Sequence, residues 1–192
     1  MDASRTLVLG GTRSGKSAWA EDRARAAGAV TYVATAPPRT GDSDWDDRLV
    51  AHRARRPAHW DTVETGEDPT ALLSVVRNAP AGRTLLVDDI GGWLTTALDA
   101  AGAWDHPAGA KLVDDLCADL VTAVATCRSG LLVVSPEVGW GVVPATRSGR
   151  VFTDAQGRLN QRLAAACDTV VLVVAGLPLV LAGHGGPPCP GG

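Results

Sequence analysis

Short apolar runs alternate along the chain with longer segments whose apolar residues recur at helical spacing. Thr6-Leu7-Val8-Leu9, Val30-Thr31-Tyr32-Val33-Ala34, Thr84-Leu85-Leu86-Val87, Leu131-Leu132-Val133-Val134-Ser135 and Thr169-Val170-Val171-Leu172-Val173-Val174 are apolar at successive positions. A strand must be apolar on both faces when helices cover both sides of a parallel sheet. Asp61-Thr62-Val63-Glu64 is shorter and β-prone, and residues 177–181 give a short edge strand. Helical segments fall between the strands. Residues 18–27 are rich in helix formers and stop at Gly28; residues 45–56 are capped by Ser43 or Asp44 and end at Pro57; Pro69 opens residues 69–77. Further helices are predicted at 93–100 after a Gly91-Gly92 break, at 107–128 and at 155–167. The alternation predicts one α/β domain over residues 1–183, with a mostly parallel sheet between two helix layers. Residues 184–192 hold four glycines and three prolines and are expected to form a disordered tail.

Sheets of this kind bind ligands at the carboxyl ends of their strands. Directly after the first strand comes Gly10-Gly11-Thr12-Arg13-Ser14-Gly15-Lys16-Ser17, which fits G-x-x-x-x-G-K-[ST]. Strand, glycine loop and helix follow in the order that a phosphate-binding Walker A loop requires. Its glycines let backbone N–H groups approach phosphate oxygens, and the helix N-terminus adds its own unpaired N–H groups. Lys16 supplies a mobile charge for β- and γ-phosphates, and Ser17 a hydroxyl for Mg²⁺.

Three more polar residues fall just past strand ends on the same edge: Thr35, Asp88 and Glu137. Asp88 ends an apolar strand in the Walker B manner and is the second expected Mg²⁺ ligand. Asp89 is set aside, because successive side chains of a strand point to opposite faces. Glu137 stands either as a base toward an attacking hydroxyl or as a structural loop acid. His52-Arg53-Ala54-Arg55-Arg56-Pro57 places three arginines beside a histidine at a helix end. Guanidinium forks suit phosphate oxygens, and nearby positive charge favours the neutral imidazole that nucleophilic attack on phosphorus needs. On spacing alone, a solvated basic helix face with an incidental histidine is slightly the better reading. His59, His106 and His184 receive no role. Trp45, Trp93 and Trp140 either flank a large apolar ligand or pack internally.

Composition narrows the classes further. The chain has 192 residues, 45% hydrophobic and 20% charged, with a formal net charge of −3. These are the proportions of a soluble globular protein, without the basic field that nucleic acid would require. No run is long enough to span a bilayer, and no secretory signal opens the chain. Cys117, Cys127, Cys167 and Cys189 form no C-x-x-C pair and read as thiols of a core or tail in a reducing cytoplasm.

The loop at 10–17, Tyr32-Val33-Ala34-Thr35, His52-Arg53-Ala54-Arg55-Arg56-Pro57 with Trp60-Asp61-Thr62-Val63-Glu64, the stretch Glu137-Val138-Gly139-Trp140-Gly141-Val142-Val143-Pro144 and Gly157-Arg158-Leu159-Asn160-Gln161-Arg162-Leu163-Ala164 follow one another in order. Together they resemble the bifunctional adenosylcobinamide kinase/adenosylcobinamide-phosphate guanylyltransferase family of cobalamin biosynthesis, over nearly the whole chain. The resemblance implies phosphorylation of a corrinoid, adenosylcobinamide, by ATP or GTP. GMP transfer from GTP through a guanylyl-histidine then releases pyrophosphate, with His52 as the nucleophile. It implies nucleotide contacts at Gly10, Gly11, Thr12, Arg13, Ser14, Gly15, Lys16, Ser17, Ala34, Thr35, Ala36, Arg53, Ala54, Arg55, Arg56, Glu64 and Asp88. It further implies a RecA-like P-loop sheet with one antiparallel strand, assembled as a trimer. The chain departs from the family at Pro136, where asparagine is usual, at Asp89-Ile90-Gly91-Gly92, and at Asp44-Trp45. Two other functions fit the residues: a single-activity small-molecule kinase, and a GTP-binding regulatory module without turnover.

Overall fold

The apolar runs become the strands of one sheet. In the computed structural model, which describes residues 4–35 and 56–183, these are β1 (Arg5–Gly10), β2 (Val30–Ala34), β3 (Asp61–Glu64), β4 (Thr84–Asp88), β5 (Gly130–Pro136), β6 (Thr169–Val174) and β7 (Leu177–Gly183). They are hydrogen-bonded in the order β3-β2-β4-β5-β1-β6-β7. Each pair is parallel except β6 with β7, so the expected antiparallel edge strand is present. The described helices are α1 (Lys16–Arg25), α2 (Pro69–Arg77), α3 (Ile90–Ala100), α4 (Pro107–Thr126) and α5 (Arg147–Ala166). The predicted helix at 45–56 lies, apart from Arg56, outside the described residues.

Strand alternation sorts the core into two layers. Val8 and Tyr32 face α1, where Ala20 and Ala24 are fully buried against Leu86, Val134 and Val173. The small alanines let α1 lie close to the sheet. Leu7, Leu9 and Val33 face the opposite way, under Leu72 and Val76 of α2, Trp93 and Leu94 of α3, Leu120 of α4 and Leu159 and Leu163 of α5. Each such fully buried side chain contributes about 1.5–3 kcal/mol. Trp93 belongs to this core and donates its indole N–H to the Pro69 carbonyl at 2.8 Å, which removes it from the ligand-flanking candidates. Cys117 and Cys127 are buried free thiols, as expected of core positions.

Two helix starts differ from the sequence expectation. α3 begins at Ile90, so Gly91 and Gly92 lie within its first turn rather than breaking the chain before it. The Asp89 side chain caps this turn by accepting from the Gly92 N–H at 2.8 Å. α5 begins at Arg147, two turns earlier than predicted, because Thr146 accepts from the Gly149 N–H at 3.1 Å. Both cases put a side-chain cap ahead of glycines that resemble helix breakers. β7 is exposed along its whole length, with Leu177, Leu179 and Leu181 each more than half exposed. No helix among the described residues is long and apolar enough to cross a membrane.

Candidate active site

The parallel strands deliver their carboxyl ends to one edge, and the site is assembled there from the segments that end or follow β1, β2, β3, β4 and β5. After β1 the phosphate loop turns through Arg13 and Gly15, whose φ angles are 58° and 93°. Gly15 is required twice over: its φ is left-handed, and an added Cβ would lie 3.1 Å from the Gly176 Cα. The β6–β7 turn holds the loop from outside through a 2.7 Å hydrogen bond from the Gly176 N–H to the Ser14 carbonyl. Lys16 and Ser17 then open α1, and no acidic side chain occupies the helix's first turn. The positive end of the helix dipole therefore lies at the loop, with the Lys16 N–H donating to Ser14 Oγ at 3.3 Å.

Beneath the loop, the Ser17 hydroxyl donates to Asp88 Oδ1 at 3.0 Å. The Tyr32 hydroxyl donates to Asp88 Oδ2 at 2.6 Å. Burial, followed by the charge of Asp88, pushes the Tyr32 phenol far above its ordinary range, so it stays a donor. The Arg56 guanidinium stacks on the other side of this link, 3.6 Å from the Tyr32 ring centroid. Its Nε is buried without a hydrogen-bond partner among the described residues. Arg56, Tyr32, Asp88 and Ser17 thus form one chain of contacts from the histidine–arginine segment to the phosphate loop. Ser17 and Asp88 offer hard oxygen donors of the kind Mg²⁺ takes. No group of three or more His, Cys, Asp or Glu side chains converges among the described residues. Such a spare donor set suits an ion that also draws ligands from substrate phosphates.

Thr35 follows β2 and is buried; its N–H donates to the Asp88 carbonyl at 3.4 Å and its hydroxyl to the Asp89 carbonyl. Glu64 ends β3 in register with Ala34. Asp89, expected to point away, caps α3 beside the site. Burial and the neighbouring charge of Asp88 raise its pKa above the usual carboxylate range, against the opposing charge of Lys16. Glu137 follows β5, and its N–H donates to the Gly10 carbonyl at 3.0 Å.

A family model described as cobinamide kinase / cobinamide phosphate guanyltransferase matches residues 6–181. The chain belongs to this family. It is accordingly a bifunctional kinase and guanylyltransferase, and its relatives span the same length. It is 42% identical over 182 residues to the bifunctional adenosylcobalamin biosynthesis protein CobP of Pseudomonas aeruginosa, covering 94% of this chain and 98% of that one. It is 38% identical over 177 residues to the bifunctional adenosylcobalamin biosynthesis protein CobU of Salmonella typhimurium, covering 89% and 96%. Among solved structures, a type III secretion ATPase superposes with a TM-score of 0.52 at 10% identity, covering 89% of this chain and 51% of that one. A Pyrococcus horikoshii protein superposes with a TM-score of 0.53 at 7% identity, covering 95% and 87%. At these identities the likeness carries the P-loop α/β fold alone.

Of the residues expected at the site of this cobinamide kinase/guanyltransferase, the structure gathers Gly10 to Ser17, Ala34, Thr35, Arg56, Glu64 and Asp88 at one sheet edge. Ala36, His52, Arg53, Ala54 and Arg55 lie outside the described residues. Sequence reasoning missed Tyr32 as the partner of Asp88. The signal was available, since a tyrosine inside an apolar strand needs a partner for its hydroxyl. It also missed the buried Ser135, Gln156 and Asn160. The Ser135 hydroxyl donates to Asn160 Oδ1 at 2.6 Å, and Asn160 Nδ2 donates to the Pro136 carbonyl at 3.0 Å. This group fixes the end of β5 to α5.

Gly91 and Pro136, both singled out by the resemblance, lie against each other. A Cβ on Gly91 would lie 2.7 Å from Pro136 Cγ, so the proline ring occupies the space beside the first turn of α3. Gly91→Ala is expected to cost about 1–3 kcal/mol through overpacking, more than the ~1 kcal/mol of helix propensity that alanine returns. Thermal denaturation should show a Tm lower by about 2–8 °C, and Pro136→Ala placed in the Gly91→Ala background should recover part of it. Asp88→Asn removes the charge but keeps an oxygen for Ser17 or Tyr32. We expect kcat/KM to fall about 10²-fold in both half-reactions, with a raised Mg²⁺ requirement in a titration of the metal.

Proposed function

We propose that the chain phosphorylates the side-chain hydroxyl of adenosylcobinamide with ATP or GTP and then attaches GMP from GTP through a guanylyl-histidine on His52. The observation that carries this is the Ser17–Asp88 contact of 3.0 Å beneath the phosphate loop, tied through Tyr32 to Arg56. Lys16 neutralises charge on the transferring phosphates, and Ser17 and Asp88 hold Mg²⁺. When bound, the ion draws charge from the phosphate oxygens and orients them. In the second step a His52 ring nitrogen bonds to the α-phosphorus of GTP, and the bond to the bridging oxygen breaks. Pyrophosphate leaves with the electron pair, and Arg53, Arg55 and Arg56 hold its phosphates. A phosphate oxygen of cobinamide phosphate then displaces His52, giving adenosylcobinamide-GDP. The guanine nucleotide lies along Ala34, Thr35, Ala36 and Glu64.

We further propose a cytoplasmic homo-oligomer, a trimer, in which neighbouring copies help build the site. The exposed leucines of β7 support this, because an uncovered apolar edge strand invites another chain. The test is incubation with GTP carrying radioactive α-phosphate and Mg²⁺. The label should remain on the polypeptide, stable to alkali and released by acid, as a phosphoramidate is. A chain that binds GTP yet stays unlabelled overturns the covalent route.

A further inference from the structure

A cavity of about 320 Å³ opens beside the phosphate loop, between residues 11–14, the end of β6, and Glu137 with Trp140. Three features of it point to a ligand that is neither the triphosphate nor the metal. The first is position. In a phosphate loop the backbone N–H groups cradle the α- and β-phosphates and the lysine reaches the β- and γ-phosphates. Residues 11–14 of that loop form one wall of the cavity, so it borders the place where the triphosphate is held. The second is an apolar wall: Leu172 and Val173 floor the cavity, and Trp140 stands 76% exposed at its rim. An indole left this open beside a catalytic loop is a surface for an apolar or planar group.

The third feature is a carboxylate in the lining. The Glu137 N–H is anchored to the Gly10 carbonyl at 3.0 Å, and its Oε1 accepts from the Gly139 N–H at 3.0 Å. Its Oε2 makes no hydrogen bond among the described residues. The two acids that follow β4 are committed elsewhere. Asp88 accepts from Ser17 and Tyr32, and Asp89 caps α3.

We propose that this cavity receives the alcohol acceptor of the kinase step, with its arm against Trp140, and that Glu137 is the general base of that step. The acceptor oxygen bonds to the γ-phosphorus, and the bond from that phosphorus to the β–γ bridging oxygen breaks. The nucleoside diphosphate leaves with the electron pair. The hydroxyl proton passes to Glu137 Oε2 and from there to solvent. The inference rests on the kinase activity of the family and adds to it both a place for the acceptor and a catalytic residue.

The two half-reactions supply the test. An alcohol must lose a proton to attack, whereas the phosphate that accepts GMP is already anionic. Glu137→Gln should therefore lower kcat for phosphorylation of adenosylcobinamide about 10²-fold or more. Guanylyl transfer to adenosylcobinamide phosphate supplied directly should fall less than twofold. Formate should restore part of the kinase rate in Glu137→Ala. Trp140→Ala should raise the KM for adenosylcobinamide about tenfold and leave that for ATP unchanged. Kinase kcat within tenfold of wild type in Glu137→Gln, or equal losses in both half-reactions, overturns the assignment of the base. A Trp140→Ala enzyme with a raised KM for ATP instead puts the nucleobase in the cavity and overturns the acceptor site.

Discussion

His52→Ala is expected to take up no label from GTP carrying radioactive α-phosphate, while wild type is labelled in minutes. Guanylyl transfer should fall by about 10⁴-fold or more, because deleting a covalent nucleophile removes the route and leaves only binding and electrostatic stabilisation. Phosphorylation of adenosylcobinamide does not pass through the histidine and should persist, so adenosylcobinamide phosphate should accumulate when ATP and GTP are both supplied. Chromatography of the corrinoid products measures both quantities in one reaction. A His52→Ala enzyme that still makes adenosylcobinamide-GDP at a tenth of the wild-type rate would exclude this residue as the nucleophile. Equal loss of both steps would mean that the histidine supports the shared site instead.

Lys16→Ala should cost both half-reactions about 10³-fold. The residue opens α1 directly after Gly15, and its charge acts across the site on Asp89. Its ammonium balances charge that moves onto the departing phosphates, and electrostatic contacts of this type are worth about 3–4 kcal/mol each. Lys16→Arg should not recover the rate, since a planar fork cannot replace a compact ammonium inside a loop this tightly held. The fold should survive both changes, because α1 is anchored by Ala20 and Ala24 rather than by Lys16. Steady-state assays of each half-reaction, with calorimetry of nucleotide binding, distinguish this variant from His52→Ala: one loses both steps, the other only the second.

The fold was legible where the information is local. A strand buried on both faces must be apolar at every position, so β1, β2, β4, β5 and β6 announce themselves as unbroken runs. The phosphate loop is local as well, since eight consecutive residues carry the turn, the charge and the hydroxyl. Asp88 could be placed because it ends such a run. Errors arose where a residue's meaning depends on something distant in sequence. Gly91 resembles a helix breaker until the ring of Pro136 is seen against it, and then it is the residue that close packing permits. Asp88 was preferred over Asp89 by strand alternation, and the helix-capping task of Asp89 shows only in the structure, because the chain leaves the strand at Asp88.

Sequence by itself therefore determined the class of sheet, the position of the phosphate-loop motif with its Lys16 and Ser17 after β1, and the family. These depend on periodicity and on motifs of fixed spacing, which survive without knowledge of any contact. Tertiary structure alone decided the linkage of Arg56, Tyr32, Asp88 and Ser17, the packing of Gly91 on Pro136, and the cavity lined by both Glu137 and Trp140. Each joins residues from different strands and helices. Their meeting is set by strand order and by the close approach of packed elements, and neither quantity is written in a local pattern.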